Sequence, residues 1–555
     1  MLRRQRRVFS LLLLFSVLVS IVLLRLAFIQ AGQGKRLAQE AVKQRAQTVV
    51  LAYKRGDILD RHGVSLLGGG ERNVLAVFPT LLARSDAGTR ETILAAIPRV
   101  SAAAGPFIAF DNLSPAEEEY FREYYRDGLI VVTAYNRYGE GALATHLVGH
   151  IGPGDGEGKV GLEQFFNTQL QGNPSILAAV VDGRNRLVEG LGYRLWEIEN
   201  ETAPPDLVLT IDSRIQFEVE RVMDEKIRRG AVVVLDPQNG EILAMASRPN
   251  YYQAHLSHYM NNMYNYATYL ETLPFINRSI LSYHPASIFK IVVAAAAFDS
   301  AGYALLHRFH CPGYIRVGDR VFRCSQGRAH GEVDLSDAFA HSCNTTFIQV
   351  ALELGKDRVY EYAQKMGLGE KSNLPLGNAA GGEESAGRLP LPEEIRYEGE
   401  LALIALGQGG VETTPLQVAR LTAIAANGGY LVEPRLVKGF LEGERLSLGS
   451  FSPSFPRRAV SPLTASRLRY LMMKVVDQGT GKEARSEQVI LGGKTGTAET
   501  GRANHDGAPL YYFWFSGLLP LEDCRAVVTV FIEEPRGYSA AAVFKKIAEA
   551  IHPFL

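Results

Sequence analysis

The sequence predicts an α+β chain in which a five-stranded antiparallel sheet carries helices on its faces and a helical subdomain inserted between its strands. Two observations near the ends of the second half carry this. A hairpin runs from Ala231 to Leu235, turns at Asp236-Pro237-Gln238-Asn239-Gly240, and returns from Glu241 to Ala246. Three strands then follow one another near 488–498, 510–518 and 525–532. Between these groups lie about 240 residues whose apolar spacing is mainly helical, including Leu335 to Ala340 and the runs Ile291 to Phe298 and Leu416 to Ala426. A transmembrane helix and a mixed α/β region are expected ahead of this domain.

At 555 residues the chain is too long for one core, so two or three domains are expected. Lys plus Arg and Asp plus Glu both number 59, and no basic excess points to a nucleic-acid partner. Arg3, Arg4, Arg6 and Arg7 precede an uncharged run from Val8 to Leu24, closed by Arg25. That run spans about 25 Å as a helix, short for a bilayer. Leu26 to Ile29 extend it, and Arg25 can snorkel outward. The basic cluster predicts a single-pass anchor with everything beyond residue ~30 outside the cytoplasm. A cleaved leader is the competing reading, although no convincing small-x-small site precedes Gln30.

Residues 34 to 49 have helical composition and are expected to form a stalk. Arg55 to Gly63 reads as a strand entering a turn at His62-Gly63, and Leu113 to Tyr125 as a helix capped by Ser114. Residues 152–158 read as a loop and 161–171 as a helix; Ala203-Pro204-Pro205 marks a linker. Leu207 to Ile211 reads as a strand, the helically spaced Ile215 to Ile227 as a helix, and Val543 to Ile551 as a last one. The expected division is 1–29 tip and anchor, 30–205 pedestal, and 206–555 catalytic domain.

The cysteines at 311, 324, 343 and 524 lack the paired spacing of familiar zinc sites, and no metal or organic cofactor is implied. Cys311 and Cys324 flank a hairpin, Tyr314 to Phe322. In an extracytoplasmic domain they would form either a disulfide or two free thiols.

Three short motifs carry chemistry. In Ser287-Ile288-Phe289-Lys290, opening an apolar helix, positions i and i+3 share a face, so a desolvated Lys290 amine can take the proton from Ser287. In Ser342-Cys343-Asn344, Ser342 can relay a proton and Asn344 can hold a substrate amide. Gly492-Gly493-Lys494-Thr495-Gly496-Thr497 lies on an expected strand. There Lys494, Thr495 and Thr497 suit a carboxylate, and Gly496 permits close approach to the backbone. The first two motifs are common by chance. Lys-Thr-Gly is expected only about 0.1 times in a chain this long.

The ordered set resembles the penicillin-recognising serine transferases. Asn277-Arg278, His284-Pro285-Ala286, Gly407-Gln408-Gly409, Thr414-Pro415-Leu416-Gln417, Asn427-Gly428-Gly429, Gly479-Thr480-Gly481 and Trp514-Phe515 are similar to transpeptidase-domain hallmarks. Arg55 to Gly63 and Gly161-Leu162-Glu163 resemble the pedestal, or dimerisation, domain of class B penicillin-binding proteins. The match covers most of residues 50 to 552. Ala286 departs from the usual Gly before the nucleophile, and Ile288 from the frequent Thr after it.

The resemblance implies a penicillin-binding-protein/β-lactamase-like fold and a peptidoglycan D,D-transpeptidase at the bacterial cell membrane. Catalytic residues would be Ser287, Lys290, Ser342 and Lys494; Asn344, Thr495, Gly496 and Thr497 would bind substrate. Stem peptides and β-lactams are the implied ligands, a SEDS-family glycosyltransferase the implied partner, and the Ser287 and Thr497 N–H groups the oxyanion hole. Four rivals stand beside this. A class A enzyme would need a glycosyltransferase motif that residues 30–205 lack, and a β-lactamase would not carry an anchor and pedestal. A D,D-carboxypeptidase shares the site but usually has the reverse layout. A sensor or scaffold would be expected to add a cytoplasmic region or lose a reacting group.

Overall fold

The computed structural model describes residues 2–33, 37, 44–110, 112–152, 155–197, 203–256, 273–376, 383–448, 451, 455–503 and 507–555. An N-terminal helix covers Leu2–Phe28. The segment Gln5–Gln33 has a mean hydropathy of 2.8 with none of it buried, and is long and apolar enough to cross a membrane. By contacts, the chain divides into one unit of residues 1–54, 70–136 and 172–202, and a second of 55–69, 137–171 and 203–555.

The first unit holds two three-stranded sheets. In one, Pro174–Val180 lies between Ala46–Tyr53 and Tyr193–Glu197; in the other, Gly68–Val77 lies between Phe107–Phe110 and Leu129–Tyr138. The helical stalk expected over 34–49 is corrected here at its C-terminal end. Thr48, Val49 and Val50 pair antiparallel with Ala178, Leu177 and Ile176, because β-branched residues with a partner strand override helical composition. Residues 34–36 and 38–43 lie outside the described ones. The expected helix at 113–125 runs Pro115–Arg122, and Ser114 and Glu117 form a reciprocal capping box at its start.

Within residues 30–205, segments 55–69 and 137–171 group by contacts with 203–555. Glu163 gathers these segments. Its fully buried carboxylate accepts from Arg55 Nη2 at 3.0 Å, Arg137 Nε at 2.5 Å and the Tyr138 hydroxyl at 2.8 Å. The strand expected over Arg55 to Gly63 shortens to Ile58–Leu59, which pairs with Leu207 and Val208.

The second unit is built on the expected sheet. Its strands are β1 (Ile227–Leu235), β2 (Ile242–Arg248), β7 (Gly492–Ala503), β8 (Pro509–Leu519) and β9 (Ala526–Pro535). They lie in the order β2-β1-β9-β8-β7 with every neighbour antiparallel. Alternation sorts its two faces. Val232 and Val234 pack with helices α1 (Ser213–Lys226) and α7 (Ala540–Ile551). Ala231 and Val233 face a larger core with α2 (Lys290–Ser300), α5 (Pro415–Ala426) and α6 (Pro462–Asp477). The inserted region, expected to be mostly helical, also carries strand pairs, among them β3 (Arg308–Cys311) with β6 (Gly331–Asp334), and β4 (Tyr314–Val317) with β5 (Arg320–Arg323). The second of these is the expected hairpin. Helices α3 (Leu335–Ala340) and α4 (Asn344–Leu354) follow, with the turn 341–343 between them.

Candidate active site

Ser287 sits in a tight 3₁₀ turn, Ala286–Phe289, that runs directly into α2. The turn is held from behind. Ala286 has a φ of 52°, in the left-handed region that side chains rarely adopt, and its N–H donates to the Gly407 carbonyl at 3.1 Å. Gly407 has a φ of 68°, and a Cβ there would stand 2.0 Å from the Ala286 carbonyl oxygen, so that position requires glycine. On the sheet side, Trp514 is fully buried and donates from Nε1 to the His284 carbonyl at 3.0 Å.

Lys290 begins α2 one turn after Ser287 and is wholly buried. Its Nζ donates to the Ser342 carbonyl at 2.7 Å and to Asn344 Oδ1 at 2.8 Å, and lies 3.2 Å from Ser342 Oγ. The first two partners only accept, so they consume two N–H bonds. Ser342 Oγ can donate as well as accept. A neutral amine can therefore satisfy both fixed acceptors and keep its lone pair for a hydroxyl proton. Burial pushes the Lys290 amine down to about 7 against the opposing pull of Cys343 and Cys324, which places the neutral form within reach at ordinary pH.

Lys494 lies on β7, the edge strand, opposite Ser516 of β8. It is also fully buried, and its Nζ donates to Ser342 Oγ at 3.1 Å and to the Thr495 carbonyl at 3.1 Å. Burial first, then the nearby Lys290 charge, holds this amine well below the ordinary lysine value. Ser342 thus receives both lysines on one oxygen. It occupies the turn between α3 and α4 with a φ of 56°, in the left-handed region that side chains rarely adopt.

An open cleft of about 470 Å³ lies over this arrangement, and Ser287, Ser342, Asn344, Thr495, Gly496 and Thr497 all line it. Lys290 and Lys494 are buried and do not line it. The structure therefore brings together all eight residues expected from the sequence. Two of them carry tasks beyond the expected ones. Asn344 is engaged at both ends of its amide, accepting from Lys290 and donating to the Arg323 carbonyl at 2.9 Å. Gly496 is required by the protein itself, since a Cβ would lie 2.8 Å from the Pro285 carbonyl oxygen, just ahead of the nucleophile turn.

Thr480 also lines the cleft, where its Oγ1 lies 2.6 Å from Thr495 Oγ1. Its Gly479-Thr480-Gly481 segment was visible in the sequence, but no chemical role was. His341, just ahead of Ser342-Cys343-Asn344, and Gln408, within Gly407-Gln408-Gly409, also line the cleft, and neither was given a chemical role from the sequence.

The cysteines are placed differently from the expectation that they form no metal-binding set. Cys311, Cys324, His330 and Cys343 have ligand atoms all within 4.8 Å of one another. Spacing rules missed this because the four residues come from separate short elements folded onto one point.

Comparison with known proteins gives concordant results. The family profile described as the penicillin binding protein transpeptidase domain matches residues 230–551. Stage V sporulation protein D of Bacillus subtilis is 28% identical over 96% of this chain and 82% of its own length. The peptidoglycan D,D-transpeptidase MrdA of Acinetobacter baumannii is 27% identical over 98% of this chain and 88% of its own. Among solved structures, a D,D-transpeptidase domain from Eggerthella lenta aligns over 90% of this chain and 99% of its own, with a TM-score of 0.65 and 24% identity. The penicillin-binding protein PBP2 of Helicobacter pylori, solved in complex with MreC, covers 92% of this chain and 99% of its own at a TM-score of 0.69 and 22% identity.

Proposed function

This chain belongs to the penicillin-binding-protein transpeptidase family, and from that premise we propose that it cross-links peptidoglycan as a serine D,D-transpeptidase anchored in the bacterial membrane. One observation carries the reading. Ser287 lines an open cleft one helical turn ahead of a buried lysine whose Nζ is bonded to Ser342 and Asn344 of the second motif.

The reaction follows from these atoms. Ser287 Oγ attacks the carbonyl carbon of the penultimate D-Ala of a stem pentapeptide, and its proton passes to Lys290 Nζ. The backbone N–H groups of Ser287 and Thr497 receive the developing oxyanion. Collapse breaks the C–N bond, and the departing D-Ala amine takes a proton through Ser342 from Lys290. Thr495 and Thr497, with Thr480 beside them, hold the terminal carboxylate of the donor or that of a β-lactam, with the Lys494 amine buried behind them. The amine of a second stem peptide then attacks the Ser287 ester, loses a proton to the same relay and frees the serine. The chemistry uses side chains and backbone only.

The Gln5–Gln33 segment supports single-pass anchoring, with the arginine cluster cytoplasmic and the remainder outside. Residues 30–205 are assigned to the pedestal and 206–555 to catalysis as functional regions. The anchor and pedestal are the surfaces proposed to meet a SEDS-family glycosyltransferase, which would supply the glycan strand.

The test is an acyl-transfer assay with a stem pentapeptide donor and an amine acceptor. Ser287-dependent D-Ala release together with a donor–acceptor amide supports transpeptidation. Release with hydrolysed donor alone would assign a carboxypeptidase, and no release would assign a scaffold.

A further inference from the structure

From Arg308 to Arg328 five arginines stand against one carboxylate, Asp319, in a chain whose acids and bases balance overall. The excess is therefore local. It lies on the small strands of the inserted region, and the acyl-transfer chemistry makes no use of it. The two strand pairs there treat charge differently. On β3 and β6 each basic residue has an acid opposite: Arg308 faces Asp334, and His310 faces Glu332, with Nδ1 and carboxylate 2.7 Å apart. On β4 and β5 none does. Tyr314 faces Arg323, Arg316 faces Val321, and Val317 faces Arg320.

Alternation sorts the residues of this hairpin. Ile315, Val317 and Phe322 turn inward and pack with Ile348 of α4 and with Ala402. Tyr314, Arg316, Val321 and Arg323 are left on the outer face, where the two arginines stand diagonally across the strands, about 7–8 Å apart at the backbone. Arg316, Arg323 and Arg328 are exposed, and among the described residues none of the three is ion-paired.

This face adjoins the cleft. The Arg323 carbonyl accepts one N–H of Asn344 Nδ2 at 2.9 Å, which leaves the second amide N–H for substrate. Ser325, two residues on, lines the cleft, and the Arg328 N–H donates to its carbonyl at 3.2 Å. Among its described residues the cleft wall carries one carboxylate, Glu483, which is bonded to Ser539 rather than to these arginines. A donor peptide with its terminal carboxylate at Thr480, Thr495 and Thr497, and a carbonyl on the free N–H of Asn344, leaves the cleft over Arg323. Each further residue advances it by at most about 3.3–3.6 Å, so the next two or three residues upstream come within reach of the hairpin.

On the transpeptidase reading above, we propose that Arg316 and Arg323, with Arg328 beside them, bind carboxylates of the donor peptide upstream of its D-Ala-D-Ala end. The hairpin is then a selectivity element that favours acidic stem peptides over amidated ones. Guanidinium groups suit the task, because each can take a carboxylate with two parallel N–H bonds. Asn344 spans the two parts of the site, with Lys290 on its oxygen and the Arg323 carbonyl on its nitrogen. An anionic membrane would meet the same charges, but a face that opens on the catalytic cleft favours the peptide.

Two synthetic pentapeptides test this, alike except that an upstream carboxylate is free in one and amidated in the other. Their binding to the full-length, detergent-solubilised Ser287→Ala protein is measured by calorimetry, which needs no turnover. The free-carboxylate peptide should bind about fivefold more tightly than its amide, as two exposed ion pairs allow. That preference should fade at about 1 M salt. Adding Arg316→Gln and Arg323→Gln should abolish it while the amidated peptide still binds within about twofold. An equal loss of affinity for both peptides would show a merely structural effect and overturn the proposal. Equal binding of both, or none, before those substitutions would overturn it too, and adsorption to phosphatidylglycerol vesicles would then assign the face to the membrane. An intact preference without D-Ala release by the wild type would uphold the site and overturn the transpeptidase reading.

Discussion

Lys290 donates from Nζ to Asn344 Oδ1 at 2.8 Å, so the base and the end of the second motif are parts of one hydrogen-bonded unit. Replacing that neutral acceptor changes the base directly. Asn344→Asp places a carboxylate against the amine and should raise its pKa, moving the pH midpoint of acylation upward by one unit or more. Asn344→Ala should slow acylation about 10- to 100-fold. A pH–rate profile of penicillin acylation measures both, and an unmoved midpoint in Asn344→Asp would remove Lys290 from the role of base.

In the wild type, acylation should rise with pH through about 7 and then level off, because the reactive form of Lys290 is the unprotonated one. The first cause of the low value is burial, and the repulsion between the lysines weighs on Lys494. Lys494→Ala should therefore weaken capture of carboxylate-bearing ligands while leaving the midpoint near 7. A midpoint shifted well above 7 in this variant would show that the second lysine, and not burial, keeps the base neutral.

Ala286 carries backbone strain at the nucleophile turn, with a φ of 52°. A left-handed conformation costs an ordinary residue roughly 1–2 kcal/mol, and glycine avoids it at some entropic expense. Ala286→Gly should raise the melting temperature slightly and keep the acylation rate within about threefold. A clear fall in melting temperature would mean that the alanine methyl packs better than its backbone suffers.

Gly496→Ala should cost at least about 100-fold in acylation while the protein still folds, since its Cβ would press on the Pro285 carbonyl from 2.8 Å and displace the turn that holds Ser287. Circular dichroism and acylation kinetics, measured together, separate displacement from unfolding. Near-normal acylation would show that the turn yields without loss.

Glu163 is a buried carboxylate shared by two arginines and a tyrosine. Glu163→Ala leaves Arg137 buried without its partner and should cost roughly 3–5 kcal/mol of stability. Thermal unfolding measures it. A loss under about 1 kcal/mol would mean that water or other groups replace the carboxylate.

The sheet, the strands that bracket the inserted region and the meeting of the eight candidate site residues were legible in the sequence because a hairpin turn, strand alternation and three short motifs in order marked them. What escaped was long-range. The strand at Ala46–Tyr53 depends on pairing with Pro174–Val180, more than a hundred residues away. Segments 55–69 and 137–171 are tied to each other by the buried Glu163 carboxylate, a pairing across about a hundred residues that local spacing does not announce. The Cys–His cluster was missed for the same reason, since its members are spread from 311 to 343 on different small elements. Thr480 was seen in a segment and given no role, because its partner Thr495 is apparent only when β7 is folded against the loop after α6.

The most direct test of the central claim is labelling of the purified protein with a fluorescent penicillin, followed by mass spectrometry of the modified peptide. One stable adduct is expected on Ser287, absent in Ser287→Ala and greatly slowed in Lys290→Ala. An intact penicillin with no adduct on the folded wild-type protein, or an adduct on another residue, would contradict it.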